Sequence, residues 1–383
     1  MSTYLDNAAT SFPKPEAVYG AVTDAMRHTG ASPGRGGYGR SLEASRIMMD
    51  TRDKTADLIN APDPERVIFT ANATAALNLA VQGVLLPGDH VITTVMEHNS
   101  LLRPLRHMEK AGVKLTVLPA GTDGIIEPDS IRKAVTAQTR MIALAHVSNV
   151  TGGIQPIAAA ADAARNCGAL FLLDAAQSAG VLRLDMQADG IDMLAAPGHK
   201  GIMGPQGTGF LAISKAVSLR PLIMGGTGTS SDQELQPEIY PDGFEAGTHN
   251  LPGIAGLGAA IEFLQQTGVE IIGQHEKLLA ELIREKLADI PGIELFGPAD
   301  PTLRTGLVSF NCNGLDATEL AFMLDRYHDF AVRAGLHCAP LAHRAIGSYP
   351  VGTVRVSPGW FNTTEEAEAF CKAIKDITRK GKP

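Results

Sequence analysis

The chain has 383 residues, 44% of them hydrophobic, enough to bury the core of a large α/β domain with a smaller appendage. Its 33 basic and 41 acidic side chains leave a formal charge of −8 with no basic stripe, which argues against nucleic acid and anionic membranes as partners. No apolar run approaches the ~20 residues that span a bilayer. Residues 1–6 have neither a basic nor an apolar leader region, so a cytoplasmic location is expected.

The first predicted elements are helices over residues 15–29 and 42–59, expected to pack with a smaller domain or at a subunit contact. From residue 66 to 213, short apolar runs alternate with amphipathic segments of helical length. Strands are predicted over 66–70, 90–95, 114–118, 141–146, 170–174, 193–196 and 209–213, with helices over 74–85, 101–111 and 158–167 between them. Such alternation implies a mostly parallel seven-stranded sheet covered on both faces. Helices over 251–266 and 270–287 follow a Gly/Thr/Ser-rich stretch at 225–232. Beyond Pro291-Gly292 comes an α+β unit, with strands near 307–311 and 353–357 and helices near 317–325 and 364–379. The expected division is an N-terminal segment (1–30) packing with the small domain, a large domain (31–270) and a small C-terminal domain (271–383).

In open parallel sheets, ligands bind at the carboxyl ends of the strands. At those ends stand residues with useful chemistry. Thr70-Ala71-Asn72-Ala73-Thr74 opens a helix whose free amides, with a threonine hydroxyl, suit a phosphate, although Asn72 or Thr74 could simply be a cap. His98, in Met96-Glu97-His98-Asn99, could lie on an aromatic ring or be a satisfied structural group. Asn149, in Val147-Ser148-Asn149-Val150-Thr151-Gly152, could bond a ring hydroxyl or serve a turn. Asp174 ends an apolar strand; it could hold the proton of a pyridinium nitrogen or cap a helix. Lys200, in Pro197-Gly198-His199-Lys200-Gly201, follows one unit later and could form a Schiff base or be an exposed lysine in a glycine-flanked turn.

Two features belong to the small domain. Cys338, in Arg333-Ala334-Gly335-Leu336-His337-Cys338-Ala339-Pro340, sits on a Gly/Pro loop, and Arg333 and His337 are expected to give it electropositive surroundings. Arg355 lies inside an apolar strand pattern and needs an anion, either a structural carboxylate or that of a substrate. No cysteine belongs to a CxxC pair and no Cys/His cluster has zinc spacing, so no metal is expected. No G-x-G-x-x-G follows the first strand of a βαβ unit, which excludes a dinucleotide-binding dehydrogenase.

Taken together, these motifs resemble one family from Tyr4-Leu5-Asp6-Asn7-Ala8-Ala9-Thr10 to Arg355-Val356-Ser357-Pro358. They include Glu97-His98, Asp174-Ala175-Ala176-Gln177, Gly198-His199-Lys200 and Phe244-Glu245-Ala246-Gly247-Thr248. The chain resembles class V aminotransferases of pyridoxal-phosphate (PLP) fold type I, in the cysteine desulfurase and selenocysteine lyase branch. The resemblance implies that Lys200 carries PLP and that Asp174 pairs its ring nitrogen. It implies that Gln177 and Asn149 bond its phenolic oxygen, that His98 stacks on its face, and that Thr74, the Ala73 amide and His199 hold its phosphate. Thr248 would reach the phosphate of the neighbouring subunit in a homodimer. Arg355, with Arg333 and Asn149, would bind the carboxylate of L-cysteine or L-selenocysteine. Cys338 would accept the sulfur and pass it to an acceptor protein, as in iron–sulfur cluster assembly. Pro197 replaces a common Ser or Thr, and Ala73 and Ala75 replace Thr and Glu, so side-chain contacts to phosphate are fewer. The alternatives are another class V aminotransferase or β-elimination lyase, which needs no thiol, and a non-catalytic PLP-binding or sulfur-relay protein.

Overall fold

The computed structural model describes residues 2–34 and 36–380. The chain opens with β1 (Thr3–Tyr4), α1 (Glu16–Asp24), which ends in a wider π turn over Ala25–Thr29, and α2 (Gly39–Leu58). There follow β2 (Val67–Thr70), α3 (Ala73–Val84), β3 (His90–Thr94), α4 (Asn99–Lys110), β4 (Lys114–Leu118), α5 (Pro128–Lys133) and β5 (Thr139–Ala145). Next come α6 (Ile157–Cys167), β6 (Leu170–Asp174), β7 (Met193–Pro197) and β8 (Gly209–Ile213), then α7 (Leu251–Thr267) and α8 (Val269–Ala288). The last stretch holds β9 (Ile293–Phe296), β10 (Val308–Cys312), α9 (Ala317–His328), β11 (Phe330–Ala331), β12 (Arg333–Gly335), α10 (Pro340–Ala345), β13 (Thr353–Val356) and α11 (Thr364–Lys380).

Seven strands form one sheet in the order β2-β8-β7-β6-β5-β3-β4, and only β8 runs against its neighbours. The apolar runs explain its depth. Along β5, Met141 and Ala143 face the layer of α3 and α4 (Leu77, Val81, Leu101, Leu105), while Ile142 and Leu144 face that of α2, α6 and α7. A strand with apolar side chains at every position must be covered on both faces. Because β2, β3, β5, β6 and β7 run the same way, Thr70, Thr94, Ala145, Asp174 and Pro197 end on one edge.

A second, antiparallel sheet, β12-β13-β10-β9, has its own core of Val308, Phe310, Val354 and Val356 against α8, α9 and α11. The N-terminal expectation divides here. β1 pairs with β11, and Leu5 enters this smaller core. Val18 of α1 and Ala44 and Met48 of α2 instead join the large-sheet core beside α7. Their apolar residues match the surface α7 leaves uncovered, so those helices belong with the large sheet rather than the small unit. Among the described residues, no helix is long and apolar enough to cross a membrane.

Candidate active site

The sheet edge opens into a cavity of about 190 Å³ lined by Lys200, Asp174, His98, Asn149, Gln177 and the first turn of α3. Asn72 caps that turn: its Oδ1 accepts from the Ala75 amide at 2.9 Å and its carbonyl accepts from the Ala76 amide. The amides of Ala73 and Thr74, which no helical carbonyl can reach, are left at the cavity with the positive end of the helix dipole. His199 also lines it, and among the described residues its buried Nδ1 has no partner.

Asp174 is 3% exposed, and its Oδ1 accepts from the Ala176 amide at 2.9 Å. Burial pushes its pKa up, while that hydrogen bond and the Lys200 charge pull against the rise. Lys200 is pushed down to about 8, first by desolvation and then by the Arg355 charge. It therefore has an appreciable free-amine fraction near neutrality, as a Schiff-base lysine requires. His98 is pushed down to about 4 by burial and by the cations of Lys200, Arg355, Arg333 and Arg103. Its Nδ1 accepts from the Ser100 amide at 3.0 Å, which caps α4 and leaves the ring neutral with its proton on Nε2.

Gln177 Nε2 donates to the Ala8 carbonyl at 3.0 Å, and Asn149 Nδ2 donates to the His337 carbonyl at 2.7 Å. The second bond ties the cysteine loop to the end of β5. A further tie joins the Asn99 amide to the Cys338 carbonyl at 2.8 Å. His337 and Cys338 both take left-handed backbone angles, φ 46° and 57°. Cys338 is exposed, whereas Cys312 and Cys371 are buried and Cys167 is half-buried. The His337 ring is not the electropositive neighbour expected beside the thiol. It is buried, donates from Nε2 to the Thr353 carbonyl at 3.1 Å, and is pushed down to about 2 by desolvation and the Arg355 charge, so it is neutral.

Arg355 is 2% exposed. Its Nη2 meets Asp6 Oδ1 at 2.9 Å and its Nη1 donates to the Asn149 carbonyl at 2.9 Å. Both structural and substrate anions had been open for this residue; Asp6 fills the structural role, and Nε is left without a partner among the described residues. Arg333 lies directly across from Arg355 in the β12–β13 register. Like charges opposed across a ladder repel, so this pair offers a second anion a favourable place.

Thr248 does not line the Lys200 cavity. It stands exposed on an adjoining cleft walled by Phe69, Leu79, Leu222, Ile223 and Phe244. Its loop is fixed by Glu245, which takes Arg52 at 2.7 and 3.0 Å and the Phe69 amide at 2.6 Å. Among the described residues, no group of three His, Cys, Asp or Glu side chains is placed to hold a metal ion.

A family model described as aminotransferase class-V matches residues 3–370. The chain belongs to the class V aminotransferase family. Among class V proteins it is 37% identical to a protein of Methanothermobacter thermautotrophicus named probable cysteine desulfurase, over 99% of this chain and 95% of that one. It is 34% identical to a cysteine desulfurase of Serratia proteamaculans, over 98% and 93%. A solved cysteine desulfurase from Thermococcus onnurineus superposes with TM-score 0.93 at 33% identity, over 99% and 95% of the chains. The cysteine desulfurase CsdA of Escherichia coli gives 0.87 at 30%, over 98% and 94%.

The sequence reading missed Asp6 as the partner of Arg355, and Ser100 as the group that fixes the His98 tautomer. It also assigned nothing to Glu97, which is fully buried between Thr94 and the Ala145 amide and pushed up to about 8 by desolvation. Asp6 and Glu97 are both acids inside otherwise buried segments, a pattern that signals a fixed partner even when the partner cannot be named.

Proposed function

We propose that the protein is a PLP-dependent cysteine desulfurase that converts L-cysteine to L-alanine and takes the sulfur onto Cys338. One observation carries this reading: an exposed cysteine is tied by its loop backbone to the same sheet edge that presents Lys200 and Asp174. An aminotransferase has no use for that thiol.

The residues fit the cofactor. Lys200 would carry it and Asp174 would hold the proton on its ring nitrogen. The free amides of Ala73 and Thr74, the Thr74 hydroxyl and the unpartnered His199 Nδ1 would take the phosphate. Gln177 and Asn149 each keep one amide hydrogen for the phenolic oxygen, and the neutral His98 ring would lie on the face. When bound, PLP supplies an electron sink for the carbanion at Cα. Arg355 Nε and the opposed Arg333 would hold the substrate carboxylate. Lys200, released as a free amine, would take the Cα proton, a transfer commonly worth ~10²–10⁴-fold in rate. Cys338 Sγ would then attack the substrate sulfur.

In this reading the large unit (31–270) supplies the cofactor side chains, and the small unit (271–383) supplies the thiol and the carboxylate clamp. The cleft beside Thr248 is apolar and open, and Ile223 on its wall is 68% exposed. A second copy of the chain fits there, giving a homodimer in which Thr248 reaches the neighbouring phosphate. The four free cysteines suit a reducing cytoplasm. The test is to incubate the purified protein with L-cysteine and a reductant. Alanine and sulfide should appear in equal amounts; pyruvate and ammonia in place of alanine would identify an elimination lyase. L-selenocysteine in parallel measures the preference between the two substrates.

A further inference from the structure

From Cys338, away from the Lys200 cavity, a groove runs between α3 and α4. Its walls are two helical stripes at four-residue spacing: Thr74, Asn78 and Gln82 on one side, Asn99, Arg103 and His107 on the other. No carboxylate lines it, on a chain whose net charge is −8. Arg103 is exposed, and among the described residues it makes no ion pair or side-chain hydrogen bond. Arg106, one turn away, is by contrast paired with Glu109 at 2.8 Å. The α3 wall is preset: Asn78 Nδ2 donates to the Thr74 carbonyl and Gln82 Nε2 to Asn78 Oδ1, both at 2.8 Å.

We propose that this groove receives an extended, acidic, cysteine-bearing segment of the sulfur-accepting protein, with Arg103 pairing a carboxylate beside the accepting thiol. The inference rests on the desulfurase reading and deepens it. The spacing fits an extended strand: rungs four helical residues apart lie about 6 Å apart, close to the ~6.6 Å between same-side residues of a strand. The amides of Asn78 and Gln82 suit a peptide backbone, and the guanidinium suits a carboxylate. A small thiol would meet only the first rung, whereas the walls continue for about two more helical turns.

The transfer balances without an added oxidant. The acceptor thiolate attacks the outer sulfur of the Cys338 persulfide and forms the new S–S bond. The old S–S bond breaks with its electron pair on Cys338 Sγ, which takes up the proton of the transferred sulfur. A groove that holds a strand against Cys338 aligns this displacement.

The experiment uses holoenzyme loaded with persulfide by L-cysteine, then offered Asp-Cys-Glu or Lys-Cys-Lys peptide, with dithiothreitol as an uncharged reference. The acidic-to-basic transfer ratio is read within each variant, so that any change in basal rate cancels. Wild type should favour the acidic peptide, and salt should weaken the preference. Arg103→Glu should lower the ratio by roughly tenfold or more, and Gln82→Glu, at the far end of the groove, should lower it in the same sense. Equal ratios in wild type and Arg103→Glu, or a wild-type preference for the basic peptide, would overturn the groove assignment alone. No persulfide on Cys338 before any acceptor is added would overturn the desulfurase reading, and this inference with it.

Discussion

Arg355 joins two roles that had been alternatives. It holds Asp6, and so the N-terminal segment, while its buried Nε has no partner among the described residues and Arg333 stands opposite it across the ladder. Removing one partner of a buried ion pair costs about 3–5 kcal/mol, so Arg355→Ala is expected to lose stability as well as substrate. Arg355→Lys keeps a charge for Asp6 but lacks the planar fork. We expect Arg355→Lys to fold and bind PLP normally, and to weaken cysteine at least about tenfold, since a charged hydrogen bond contributes ~1.5–3 kcal/mol. A spectral titration checks this, with cysteamine, which has no carboxylate, as the insensitive control. Unchanged cysteine affinity would leave Arg355 a purely structural residue. The need for an anion at Arg355 was legible from its apolar neighbours; Asp6, 349 positions away, was not, because only the fold brings the two together.

The strands of the large sheet were legible because they are short runs bounded by turn residues, and the central ones, such as β5 and β6, are apolar and buried on both faces; β4, at the edge, is only partly buried. The short elements were not. β11, β12 and α10 have two, three and six residues, too few for a period to show, and each depends on a distant partner: β11 on β1, β12 on β13, and α10 on the large-sheet core that Ala342 joins. The cysteine loop leans on such an element. Gly352 has φ +83°, and a Cβ there would lie 2.3 Å from the Gly335 carbonyl group. Gly352→Ala must therefore push β12 and the loop after it away from β13. The expected result is intact PLP absorbance with persulfide formation on Cys338 reduced at least about tenfold, the scale of a misplaced reacting group. Normal persulfide formation in that variant would show that the loop position is not set from β13.

At the scale of the molecule, burial of titratable groups sets the acid limit. His98, His146, His199 and His343 are pushed down to about 4, and His337 to about 2, mainly by desolvation. Each protonates later in the folded chain than in the unfolded one, so its stability contribution is complete above about pH 6.5 and is lost as pH falls. Glu97 and Glu276, pushed up to about 8, and Asp174, also raised, act in the opposite sense. His90 is lowered as well, so the depressed histidines outnumber the raised acids, and the unfolded chain binds more protons as pH falls below about 6.5. The thermal midpoint of the apoprotein should fall steeply from pH 6.5 to 4.5; a flat or rising midpoint would contradict these assignments. Assembly is tested at the same scale. Ile223→Asp should turn the dimer into a monomer in sedimentation, with loss of PLP retention; a fully active monomer would remove Thr248 from the site. The most direct measurement of the central claim is a single turnover with L-cysteine in the absence of reductant, read by product analysis and peptide mass. The account predicts one alanine per subunit and the added mass of one sulfur atom on the Cys338 peptide, with neither in Cys338→Ala, although that variant keeps its PLP on Lys200. Alanine formed by Cys338→Ala at the wild-type rate, or added sulfur on Cys167, Cys312 or Cys371 instead, would contradict it.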